Sequence, residues 1–127
     1  AAENEQGNLT SEVADRRFHE VIARATNNRV LINTIASLFD IQERTPQILY
    51  AHKSVCKQDG ERRLVEHRAI VEALEQRDSA AARKAMRKHF ARGLKAMHDA
   101  SEAQEVELVK QAVLARRERF SVENLVD

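Results

Sequence analysis

One proline and three glycines are all that punctuate this 127-residue chain. These residue types are the strongest breakers of regular backbone, so long uninterrupted elements are the default here. Ala, Leu, Glu, Arg and Lys dominate the remainder, and they lose little side-chain freedom in a helix. Aromatic residues make up only 4% and Trp is absent, whereas strands favour β-branched and aromatic side chains. The expected fold class is all-α: an antiparallel bundle of five to six helices with a core of Leu, Ile, Val, Ala and Met. The length suits one domain over residues 1–127.

Apolar spacing and turn residues divide the chain. A first helix starts after Asn8 to Ser11 and runs to about Thr26, with Val13, Phe18, Val21, Ile22 and Ala25 at helical intervals. Asn27 and Asn28 interrupt it, because Asn tolerates the left-handed conformation that ends helices. A second helix spans about Arg29 to Glu43. Pro46 opens a third, to about Lys57, and Asp59-Gly60 is a turn signal. A fourth runs from about Glu61 to Gln76. Asp78 or Ser79 caps a fifth. Ser101-Glu102-Ala103-Gln104 has capping-box form and predicts a last helix to about Arg119.

Several function classes are disfavoured. The net charge is +1 with acids and bases well mixed, unlike the clustered basic surface of a nucleic-acid clamp. The Arg-rich stretch Ala115 to Arg119 reads as a solvated helix end. No apolar run approaches the roughly 18 residues of a membrane span, and the polar start Ala1 to Asn8 is unlike a signal peptide. With the single Cys56, these features lead to an expected cytoplasmic location and no membrane partner.

Four polar residues break the amphipathic pattern. Asp15 and His19 lie four apart, on one helix face that continues to Ile22 and is flanked by Phe18. His67 occupies an apolar position in the stripe Leu64, His67, Val71, Leu74. His89 does the same in Ala82, Met86, His89, Gly93, with Phe90 alongside. A buried ionised Asp is costly unless paired, and buried imidazoles need partners. One metal ion compensates all four groups, since neutral imidazoles and a carboxylate are good ligands. A buried Asp–His hydrogen-bonded network without an ion is the alternative.

These residues also carry a family resemblance. Asp15-Arg-Arg-Phe-His19, then Ile22-Ala23 and Ala25-Thr-Asn-Asn28, resembles the start of the metal-binding half of the FCD domain. That domain is the C-terminal effector-sensing part of the FadR branch of GntR-type bacterial transcription regulators. Glu66-His67-Arg68-Ala69-Ile70 with Ala73-Leu74 and Asp78 is similar to its central helix, and Ala82 to His89 to its closing helix. The resemblance runs from about residue 12 to residue 98. It implies that Asp15, His19, His67 and His89, in that order, hold a divalent transition metal, Zn or Ni first, with Mn or Fe as further options. The chain departs from the family pattern in showing no two helices before the Asp and no winged helix-turn-helix, so it reads as a fragment of a longer regulator or a truncated relative.

The resemblance further implies a small carboxylate effector, homodimerisation, and DNA contact only through the missing N-terminal domain. Arg44 matches a position where the family often has Arg, and a guanidinium grips a carboxylate with two hydrogen bonds. Arg17 and His52 are further effector-binding candidates. His98 lies nine residues, or two and a half turns, beyond His89 and reads as a surface residue. Asn28 reads as a helix terminator. Two other readings are a metal-dependent enzyme of helical-bundle fold and a purely structural dimerisation bundle. Against the enzyme, His19-Glu20-Val21-Ile22-Ala23 begins like a zinc-protease helix but has Ala where the second His belongs, and no inward acid is left as general base. The expected activity is binding, without catalysis.

Overall fold

The computed structural model describes residues 11–121. Five helices follow one another: α1 (Ser11–Ala25), α2 (Arg29–Arg44), α3 (Pro46–Gln58), α4 (Gly60–Glu75) and α5 (Ser79–Arg119). The described residues contain no strand. The expected all-α bundle is the observed one. The expected start of the first helix falls partly on residues 8–10, outside the described residues.

Local chemistry sets the helix ends. Asn27 takes a left-handed backbone, φ 51°, and closes α1. Asn28 belongs to the next element: its side-chain oxygen accepts hydrogen bonds from the amides of Val30 at 3.1 Å and Leu31 at 3.2 Å, capping α2. Pro46 occupies the first turn of α3, where its missing N–H costs nothing. Arg77 is also left-handed, φ 55°, and Asp78 caps α5 by accepting from the Ala81 amide at 2.9 Å.

Asn28 is thus a helix start and not the expected terminator, and two further expectations need correction. Residues from Ser101 onward do not form a separate helix, because α5 continues for 41 residues through the apparent capping box. No Gly or Pro follows Gly93 before Arg119, so nothing stops it. The buried face of α4 is also rotated from the expected stripe. It consists of Arg63, His67, Ile70 and Ala73, while Val71 and Leu74 are exposed.

The interior is unusual in what it lacks. Among the described residues, buried apolar side chains are Ala23, Ala51, Cys56, Ile70 and Ala73, and Ile70 is the one large side chain fully hidden. Six polar or ionisable residues are buried beside them: Asp15, His19, His52, Arg63, His67 and His89. Helices normally turn hydrocarbon toward the bundle axis. Here the axis is occupied largely by ionisable groups. An outer network also ties α1 to α2: Arg16 bonds Glu20 on its own helix, Asp40 at 2.9 Å and Glu43 at 3.0 Å.

Candidate functional site

Three helices supply the central cluster. Asp15 and His19 come from α1, His67 from α4 and His89 from α5. One ligand atom from each lies within 4.8 Å of all the others, and all four residues are buried. His67 Nε2 is 3.3 Å from Asp15 Oδ1, His19 Nε2 is 3.8 Å from the same oxygen, and His19 Nε2 is 3.3 Å from His89 Nε2. Donor atoms about 2.1 Å from one tetrahedral ion sit roughly 3.4 Å apart, so these spacings fit a shared ion.

Asp15 Oδ1 and His67 Nε2 are the buried side-chain atoms without a hydrogen-bond partner among the described residues. Their 3.3 Å approach is not aligned for a hydrogen bond. Unsatisfied buried polar groups cost on the order of 1–3 kcal/mol each, more when charged. A hydrogen-bonded Asp–His network therefore accounts poorly for them, whereas a cation would satisfy both.

A surrounding layer orients these groups. The carboxylate of Glu66 can only accept, so His89 Nδ1 donates to it at 2.9 Å, leaving Nε2 toward the cluster. Arg92 bonds Glu66 and reaches Asp59 at 3.0 Å. His52 Nε2 donates to Asp15 Oδ2 at 3.1 Å, and its Nδ1 meets Gln42 at 2.8 Å. Phe18 stacks on His67 with ring centroids 3.8 Å apart. Arg63 contacts Cys56 and Ser11 and lies 3.7 Å from Asp15.

The electrostatics favour the protonation states in which these groups could bind a metal. Burial alone would raise Asp15, but the His52 hydrogen bond and the adjacent His67 outweigh it and hold the carboxyl well below the usual carboxylate range. Burial pushes His19 down to about 4, against the pull of Asp15, and it also lowers His89. These two imidazoles are therefore neutral near pH 7. His52 behaves oppositely. Burial disfavours its charge, but Asp15 and Cys56 lift its pKa to about 9. Its protonated form needs Gln42 to turn its amide oxygen toward Nδ1.

A cavity of about 190 Å³ adjoins the cluster. Asp15, His19 and His89 form one wall, and Ile35, Leu38, Phe39, Val55, Phe90 and Met97 make much of the rest. Of the expected effector contacts, His52 lines this cavity. Arg44 and Arg17 are exposed and absent from its lining. Arg44 sits in the last turn of α2, and Arg17 is two residues, about 200° of helix, from both Asp15 and His19. The guanidinium groups at the cavity are those of Arg63 and Arg92. His98 is exposed, as its spacing from His89 indicates.

Residues 1–92 match the family model described as FCD domain. The chain belongs to the FCD domain family. It is also 36% identical over 81 residues to the "Putative L-lactate dehydrogenase operon regulatory protein" of Escherichia coli (strain K12). The protein of the same name from Shigella flexneri matches at the same identity. The matched segment covers 61% of this chain and 30% of each relative, so the chain spans less than a third of the length of these proteins. No solved structure matches. The assignment accords with the all-helical bundle.

Sequence reasoning missed Arg63, Glu66, Arg92, Gln42 and Cys56. Arg63 had a usable signal, since it lies four residues before His67 on the same helix face. Arg92 and Glu66 had none, because single charged residues in helices are normally solvated.

Proposed function

We propose that this FCD domain is the effector-sensing part of a GntR-type transcription regulator, holding a divalent transition metal, Zn or Ni, through Asp15, His19, His67 and His89. The observation that carries this reading is the buried pair Asp15 Oδ1 and His67 Nε2, each without a hydrogen-bond partner inside a converging four-ligand set. Bound there, the ion supplies the positive charge that the buried carboxylate lacks and an anchor for an incoming anion.

The effector in this reading is a small carboxylate with an apolar body. Its charged end meets the metal cluster and Arg63 or Arg92, and its body lies against Phe39, Phe90 and Met97. His52 fixes the second oxygen of Asp15 and borders the same cavity, so it links ligand geometry to effector occupancy. A winged helix-turn-helix elsewhere in the full-length cytoplasmic regulator, acting as a homodimer, then changes its DNA affinity. The effector moves that equilibrium only through its differential affinity for the two states.

Metal analysis tests the reading directly. The chain purified without chelator, then loaded with Zn or Ni and desalted, is expected to retain one equivalent, and His67→Ala is expected to lose it. Equal retention by His67→Ala, or no retention by the unaltered chain, would overturn the assignment.

A further inference from the structure

The distal part of α5 has no part in the ligand cluster. Every residue from Glu105 to Phe120 is exposed. An isolated helix of this length is marginal in water, so a partner that covers one face would be stabilising. Leu108 and Leu114 are exposed on other faces, but three of the exposed apolar residues share one stripe. Val106, Val109 and Val113 follow at intervals of three and four, the spacing of a helix–helix seam. Glu102 precedes them by four residues and Arg116 follows by three, extending the same stripe. Leu108 and Gln111 line a groove against α3 and belong to a different face.

The charges flanking the valines identify the partner. Glu102 and Glu105 lie on the N-terminal side, and Arg116, Arg117 and Arg119 on the C-terminal side. In a parallel pair each end would meet its like. In an antiparallel pair the acidic end of each helix meets the basic end of the other, and the valines meet at the centre. The stripe is thus complementary to itself under a two-fold axis, the symmetry of an isologous dimer.

We propose that residues 102–119 of α5 are a homodimerisation element, pairing antiparallel with a second copy of this chain. Val109 of one copy packs against Val113 of the other, and Glu105 of each lies by Arg119 of its partner copy. The short seam, with two central valine layers, makes a weak dimer, with a dissociation constant on the order of 10 µM.

Sedimentation velocity of the 127-residue chain over about 1–200 µM reads this out. The mass is expected to rise from 14.5 kDa toward twice that value with concentration. Val109→Asp is expected to weaken association at least tenfold. Glu102→Arg with Glu105→Arg, and separately Arg116→Glu with Arg119→Glu, are each expected to stay monomeric, while an equimolar mixture of the two dimerises. Circular dichroism of each variant checks that the bundle remains folded. A chain monomeric at every concentration would assign the stripe to another partner. Dimerisation unaffected by Val109→Asp would place the interface elsewhere. Failure of the mixed charge variants to associate would remove the antiparallel arrangement. Metal loading is irrelevant to all three outcomes.

Discussion

Glu66 accepts a hydrogen bond from Nδ1 of His89 at 2.9 Å, and this fixes which imidazole nitrogen faces the ligand cluster. Partners that orient a ligating histidine typically contribute 10- to 100-fold to metal affinity. Glu66→Gln is expected to weaken Zn or Ni binding by about that factor while leaving the helical content unchanged. A chelator competition titration measures it. Unaltered affinity would mean that packing alone orients His89.

Metal occupancy should also register in thermal stability. At a free metal concentration about 100 times the dissociation constant, binding to the folded state alone adds about 2.7 kcal/mol. For a domain of this size the melting temperature should rise by roughly 10 °C, and a chelator should reverse it. His67→Ala should abolish the shift. A metal-induced rise that persists in that variant would point to another site.

The metal-free chain should be most stable near pH 6.5. His52 has a folded pKa raised to about 9. Its contribution is complete below the unfolded value near 6.5 and is lost as pH rises through 9. His19 has a folded pKa lowered to about 4, so the unfolded chain binds the proton more readily and stability falls as pH drops from about 6.5 toward 4. Asp15, lowered further, adds a loss at the acid end. Each histidine changes stability by on the order of 3 kcal/mol at full extent. Urea midpoints across pH 4–9 give the profile, and a monotonic rise with pH would contradict it.

The rotation of α4 has its own mutational signature. Ile70 is fully buried and Val71 is exposed, although they are adjacent in sequence. Ile70→Ala should cost about 2–5 kcal/mol. Val71→Ala should cost roughly 0.5 kcal/mol or less. Comparable losses at both positions would restore the stripe through Leu64, Val71 and Leu74.

The apolar cavity wall sets an expectation for the effector. With the metal-loaded chain, straight-chain monocarboxylates should bind more tightly by about 0.8 kcal/mol, near fourfold, for each methylene buried until the cavity is filled. Calorimetry across the series tests it. Tighter binding of a polyhydroxylated acid than of an aliphatic acid with equal carbon number would contradict the apolar-body reading.

The four cluster residues were legible because each put a polar group where helical spacing calls for hydrocarbon. The identity of the surrounding layer was not. Glu66 and Arg92 look like ordinary solvated residues until α4 and α5 pack together. The stripe on α4 was misjudged for a related reason. His67 can share a face with Leu64 and Val71 or with Arg63 and Ile70, and apolarity favoured the first pair. Tertiary packing chose the second, placing Arg63 beside Asp15. The capping-box motif at Ser101 misled because a local motif cannot stop a helix whose continuation contains no breaker.

Helix α5 is one unbroken element from the cluster residue His89 to Arg119. Thirty residues at a rise of about 1.5 Å make a lever arm of roughly 45 Å. A tilt of about 5° pivoting at His89 would swing Arg119 by roughly 4 Å, enough to shift a helix pairing toward another register. Small adjustments at the bundle axis are thereby magnified mechanically at the far tip.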